Sequence, residues 1–156
     1  MDYTNNEEFI QDVEICALHL NSMVDDEKRI PVNLAIAQAI HESNWGKSRF
    51  AREANNLYGI RTFDSSKDQL KPLDNPNVTW GLRIFETKCE SVSYYMWLLN
   101  YSHHYSEFRE ERLMQYAGDV VNLDKLALTL AIYSEDVYYT QKIIRTLKKL
   151  ESYDRD

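Results

Sequence analysis

Phe9, Ile10, Val13, Ile15, Cys16, Leu18, Leu20 and Val24 recur at helical spacing. They predict a helix over Asn5 to Val24, with Asn5 or Asn6 as its N-cap. The charged run Asp25 to Arg29 breaks the pattern, and Pro31 stands where a first helical residue is favoured. From there Leu34, Ile36, Ala37, Ala39 and Ile40 make a helix that is apolar on most sides, running to about Asn44 and stopped by Gly46. A helix of that kind belongs in the middle of a bundle. A short polar helix, Ser48 to Ala54, follows. Leu57 to Phe63 reads as extended, Phe63 to Asn77 as a loop or hairpin tip, and Val78 to Phe85 as a second strand. Four further helices are expected: Thr87 to Tyr101, Glu107 to Tyr116, Asp124 to Ile132 and Val137 to Glu151. The pattern shows no repeat and no linker, so residues 1–156 are expected to form one mainly α domain with a small β-hairpin.

Composition narrows the class. The chain has 156 residues, 44% of them hydrophobic, with only four glycines and three prolines. Such a length suffices to bury roughly 70% of the extended-chain surface. The net charge of -7 argues against a nucleic-acid partner. The basic cluster Lys142 to Lys149 reads instead as the solvated face of the last helix. No apolar stretch is long enough to span a membrane. Residues Met1 to Glu8 are polar and acidic and do not look like a signal peptide; export would need a leader already removed, or another route. Cys16 and Cys89 each sit in an apolar helical pattern and read as small core residues, with a disulfide between them open but not required. No cysteine or histidine spacing suggests a metal site, and no cofactor is expected. A monomer is expected.

The candidate chemistry centres on Ala37 to Gly46. Glu42 falls near the C-terminal end of a buried helix, where the helix dipole and apolar surroundings both disfavour its carboxylate and raise its pKa. A carboxyl still protonated near neutrality can hand a proton to the oxygen of a leaving sugar. Trp45, three residues on, can shield that carboxyl, offer a face to a sugar ring or plug the core. In Asn55-Asn56-Leu57-Tyr58-Gly59-Ile60-Arg61 an amide-rich turn leads into a strand holding a glycine, a frequent mark of close approach by another group.

The run Glu42-Ser43-Asn44-Trp45-Gly46-Lys47-Ser48, with Ala51 and Ala54-Asn55-Asn56-Leu57-Tyr58-Gly59-Ile60, resembles the signature of bacterial N-acetylglucosaminidases of glycoside hydrolase family 73. Ser48 to Leu57 is most similar to the Bax-type branch. Arg83-Ile84-Phe85-Glu86-Thr87 with Glu90-Ser91 resembles the family's strand-to-helix segment. Leu99-Asn100 with Tyr105 resembles a Bax-type motif. Tyr133-Ser134-Glu135-Asp136 with Tyr139 and Lys142-Ile143 resembles the C-terminal tyrosine motif. The matches run in order from about residue 30 to 150. The resemblance implies a lysozyme-like helical fold with a β-hairpin beside the cleft. It implies cleavage of peptidoglycan glycan strands at the β-1,4 bond on the reducing side of N-acetylglucosamine, in the periplasm or cell envelope. It places the catalytic acid on Glu42 and the active-site tyrosine in the block holding Tyr133 and Tyr139; Tyr133 is the favoured position, with Tyr139 also near substrate but read mainly as packing for the last helix. Trp45, Asn56, Tyr58 and Arg61 then line or support the cleft.

One part of the pattern is missing. Many members carry a second carboxylate on the hairpin, but Lys67 to Pro76 contains no Glu; Asp68 and Asp74 are its only acids. Either aspartate, or the substrate's own acetamido group, would then have to serve. A lytic transglycosylase, or a catalytically weak glycan-binding module, fits the same single-Glu layout.

Overall fold

The computed structural model describes residues 1–153; the last three residues of the expected 1–156 domain lie outside it. Seven α-helices and a small sheet that packs against α3 make up the fold among the described residues. Helix α1 spans Asn6–Asn21, and Asn5 caps it by accepting the Glu8 amide at 2.9 Å. The charged break is a single 3-10 turn, Asp26–Lys28. Helix α2, Val32–Ser43, buries Leu34 to Ile40 and Ser43 on every side, as its apolar pattern required. It packs between α1 and α7. Helix α3 is Arg49–Ala54 and α4 is Lys88–Tyr101, capped by Ser48 and Thr87. Helices α5 (Ser106–Ala117), α6 (Leu123–Leu128) and α7 (Tyr139–Glu151) complete the bundle. The expected Asp124 to Ile132 helix is shorter, because the chain passes into a 3-10 turn at Ala131–Tyr133. On α7, Ile143, Leu147 and Leu150 face inward while Lys142, Arg145, Lys148 and Lys149 face solvent.

The β region holds three strands rather than a two-stranded hairpin. Strands β1 (Arg61–Thr62), β2 (Gln69–Leu70) and β3 (Gly81–Arg83) form an antiparallel sheet in the order β1-β3-β2. Arg61 pairs with Leu82, and Gln69 with Arg83. The extra strand, β2, lies inside the segment expected to be loop. A run of two residues is too short for alternation to show. That segment is also tied down: the Lys71 ammonium donates to the carbonyls of Val78 and Trp80, and Arg49 donates to the carbonyl of Lys71.

The cysteines are not merely small core residues. Cys16 of α1 and Cys89 of α4 form a disulfide across a sequence separation of 73. Their patterns placed both on buried helix faces, but only the packing of α1 on α4 brings those faces together. A link closing so long a loop removes much of the unfolded chain's freedom. Replacing Cys16 by Ser should therefore lower stability by about 2–4 kcal/mol in equilibrium urea unfolding without reductant. A loss below about 1 kcal/mol would show that the link constrains little.

Candidate active site

Glu42 is the penultimate residue of α2. Beyond it Asn44, Trp45 and Gly46 all take left-handed backbone angles, with φ of 50°, 59° and 75°. That turn is expensive for a tryptophan. It is clamped from α1 and the residues before it: the Trp45 ring lies edge-on to Phe9 at 6.4 Å, and the Tyr3 hydroxyl donates to the Gly46 carbonyl at 2.9 Å. A side chain at position 46 would overlap the Tyr3 ring, so glycine is required there.

The Glu42 side chain opens on a groove of about 460 Å³ lined by Glu42, Tyr58, Gly59, Arg61 and the segment Ile132 to Glu135. Gly59 lies against the carboxylate: a Cβ there would stand 3.0 Å from Glu42 Oε2, on a backbone with φ of 65°. Burial raises the Glu42 pKa from the ordinary 4.5 to about 7. A hydrogen bond from Tyr139 and the positive charge of Arg61 both pull in the opposite direction, and burial outweighs them.

A polar relay holds this carboxyl from behind. The Tyr139 hydroxyl donates to Glu42 and accepts from Gln38 Nε2 at 3.0 Å. Gln38 Oε1 in turn accepts from the Tyr95 hydroxyl. Gln38 is the one amide among the buried residues of an otherwise apolar helix face, and both ends of it are satisfied. Aromatic rings fill the surrounding space. Tyr58 stacks on Tyr95 at 4.0 Å, and Tyr133 lies nearly parallel to Tyr139 at 6.0 Å. Burial raises the pKa of Tyr133, Tyr139 and, to about 12, of Tyr105, with the Glu42 charge adding to each shift. All three phenols are therefore neutral hydroxyls at physiological pH. Among the described residues no three His, Cys, Asp or Glu side chains are grouped to hold a metal.

A protonated, half-shielded carboxyl at the wall of an open groove is able to donate a proton to a bound ligand. The sequence profile described as mannosyl-glycoprotein endo-beta-N-acetylglucosaminidase matches residues 22–152. The chain belongs to this glucosaminidase family, glycoside hydrolase family 73. Protein bax of Escherichia coli (strain K12) is 33% identical over 92 residues, which cover 59% of this chain and 32% of that protein. The chain thus spans about a third of the length of that relative. Among solved structures, the catalytic domain of the autolysin Auto from Listeria monocytogenes superposes with a TM-score of 0.68 at 19% identity, covering 97% of this chain and 88% of that one. A C-terminally truncated glycoside hydrolase domain from Salmonella typhimurium FlgJ gives 0.64 at 18%, covering 96% and 100%. At these identities the likeness is one of fold, a mainly helical, lysozyme-like glucosaminidase fold with a small antiparallel sheet.

The structure gathers most of the residues singled out in the sequence, in altered roles. Glu42, Tyr58, Arg61 and Tyr133 line the groove. Arg61 lays its guanidinium 3.9 Å over the Trp80 ring, a partner the sequence did not suggest. Asn56 is buried and supports the groove without lining it. Its side chain bonds the Ile60 and Arg83 carbonyls and the Tyr58 and Ile60 amides, so it acts as a clip beneath Gly59. Trp45 does not face the groove; its ring packs on Phe9 and it borders a separate hollow with Tyr3. The two tyrosines exchange expected places. Tyr133 donates to the Tyr58 carbonyl at 2.9 Å, closing the groove floor, while Tyr139, read mainly as packing, is the one that bonds Glu42. Asp68 and Asp74 are exposed and line no part of the groove. Glu135, quoted in the sequence only as part of a motif, does line it. Gln38 and Tyr95 were also missed, though a lone amide inside an apolar helix is a legible signal that buried partners exist.

Because the Tyr139 bond favours the ionised carboxylate, Tyr139→Phe should raise the Glu42 pKa above about 7. Titration of the Glu42 carboxyl by NMR in both proteins checks this. An unchanged or lower value in the variant would show that the hydroxyl does not act on Glu42.

Proposed function

We propose that this protein is a peptidoglycan hydrolase, an endo-β-N-acetylglucosaminidase that cuts the β-1,4 bond on the reducing side of N-acetylglucosamine. The carrying observation is the Glu42 carboxyl, buried enough to hold its proton near neutrality and open to the groove at Gly59. Family membership and the ordered motifs support the substrate class.

Glu42 is the general acid. As the glycosidic bond breaks, it gives its proton to the oxygen of the leaving sugar, so no free alkoxide forms. Tyr139 and Arg61 stabilise the carboxylate that remains. The relay through Gln38 and Tyr95 fixes the direction in which the proton is delivered. Tyr133 holds the Tyr58–Gly59 backbone against Glu42, and with Gly59 and Arg61 forms the bed for the sugars. No helix among the described residues is long and apolar enough to cross a membrane. The Cys16–Cys89 disulfide suits an oxidising compartment, which supports action in the periplasm or cell envelope.

Digestion of intact sacculi, with mass spectrometry of the fragments, tests this reading. Wild-type protein should release fragments with reducing N-acetylglucosamine ends. Anhydro-muramic ends would make it a transglycosylase instead. Glu42→Gln should lose at least about a hundredfold in turnover without losing stability. Retention of more than about a tenth would remove Glu42 from the chemistry. Wild-type activity should also fall as pH rises through about 7, where Glu42 gives up its proton.

Asp68→Asn and Asp74→Asn, at exposed positions outside the groove, should each keep at least about a third of wild-type activity. A loss of about a hundredfold in either would place a catalytic carboxylate in the 63–77 loop.

A further inference from the structure

Hydrolysis needs a second group besides the acid, one that takes a proton from the attacking water or replaces that water by a covalent bond. The loop aspartates line no part of the groove. The groove is nevertheless bordered by two carboxylates, Glu42 and Glu135. They come from two different segments. Glu42 stands near the end of α2, and Glu135 lies in the segment with Ile132, Tyr133 and Ser134. The Tyr133–Tyr58 hydrogen bond ties the Glu135 segment to the Tyr58–Gly59 turn, and Gly59 lies against the Glu42 carboxylate.

The neighbours of Glu135 are engaged elsewhere. The Ser134 hydroxyl accepts the Asp136 amide, and the Asp136 carboxylate is paired with Lys142 and accepts the Tyr138 amide. Glu135 itself has no ion pair or side-chain hydrogen bond among the described residues, and it is exposed to the groove's water. A turn held at both flanks by its neighbours' bonds, presenting an unengaged carboxylate into a groove, is suited to meet a ligand rather than to stabilise the fold.

Granted the glucosaminidase reading, we infer that Glu135 is the general base that activates the attacking water. Glu42 protonates the glycosidic oxygen and the bond from that oxygen to the anomeric carbon breaks. Water attacks the same carbon from the opposite face, and its proton passes to the Glu135 carboxylate. One water is consumed, two sugar ends are formed, and solvent then takes the proton from Glu135 and returns one to Glu42. The spacing of the two carboxyls separates this from a covalent route: roughly 6.5–9.5 Å leaves room for a water, whereas roughly 5–5.5 Å suits a nucleophile. A base that activates water on the face opposite the leaving sugar gives inversion at the anomeric carbon.

The test uses a soluble, uncross-linked glycan strand with wild-type protein and Glu135→Gln. Early proton NMR of the wild-type digest should show the α-anomer of the new reducing end appearing first. In Glu135→Gln, kcat should fall by about a hundredfold or more with KM little changed. The acidic limb of the pH–rate profile should disappear while the alkaline limb set by Glu42 stays. Melting temperature serves as the control for folding. A β-anomer appearing first, as the acetamido-assisted route gives, would overturn the assignment. So would a Glu135→Gln variant that keeps more than about a third of wild-type kcat with both limbs intact. Either result leaves the glucosaminidase reading standing. A wild-type digest with no new reducing ends overturns both together.

Discussion

Glu42 stands near the end of a helix that is buried throughout from Leu34 to Ile40, and the elements around it are arranged by what that buried carboxyl needs. A carboxyl withdrawn from water must either stay protonated or find donors. Here both conditions act at once. Burial keeps the proton on, and Tyr139 on α7 with Arg61 on β1 keeps the ionised form attainable. Helix α7 is thus bound to α2 by more than its leucines. Its first residue, Tyr139, has to reach both Gln38 and Glu42, and this sets the position of the turn before it that carries Ile132 to Glu135 into the groove. The Tyr95 hydroxyl closes the same relay from α4.

This arrangement has a cost in stability. A carboxyl whose folded pKa lies above its unfolded value favours folding only while it is protonated in the folded chain. Its contribution is complete below the ordinary 4.5 and is lost as pH climbs to about 7. The difference amounts to roughly 3 kcal/mol, a sizeable part of the stability of a typical domain. Replacing Glu42 by a residue without charge would recover it. A buried acid that weakens the fold at neutral pH is hard to explain as a structural choice and is natural in a proton donor.

Much of the fold was legible in the sequence because helices announce themselves over long windows. The apolar periodicity of α1, α2 and α7 and the N-cap candidate Asn5 located their elements within a few residues. Short elements did not show in this way. β2 has two residues, and α6 stops early because no local signal marks the change to a 3-10 turn. Glu42 was recognisable because burial and helix position act locally. Partnerships across the chain were not. Which tyrosine reaches Glu42 depends on the rotation of α7 against α2, and Tyr133 and Tyr139 lie on one short segment that can present either. Trp45 was ambiguous for the same reason: spacing put it beside Glu42, but the left-handed turn points its ring toward Phe9. Cys16 and Cys89 could be read as buried but not as bonded, since the contact joins residues that only the docking of α1 on α4 makes neighbours.

The turn after Glu42 connects these observations. Three successive left-handed residues, two of them not glycine, do not hold their shape without support. Part of the support comes from α2, where the Ser43 hydroxyl accepts the Gly46 amide and the Ile40 carbonyl accepts the Trp45 amide, and part from α1 and the residues before it: Phe9 beside Trp45, and Tyr3 against Gly46. Helix α1 is in turn fixed to α4 by the disulfide, and α4 carries Tyr95, the far end of the relay behind Glu42. The acid is therefore held from two directions that meet in α4. One passes through Tyr95, Gln38 and Tyr139 to the carboxyl itself, the other through Cys89, Cys16 and Phe9 to the backbone turn that follows it. A covalent link outside the groove is then part of what sets the angle of the Glu42 carboxyl within it, because a turn this strained relaxes wherever its clamp is allowed to move.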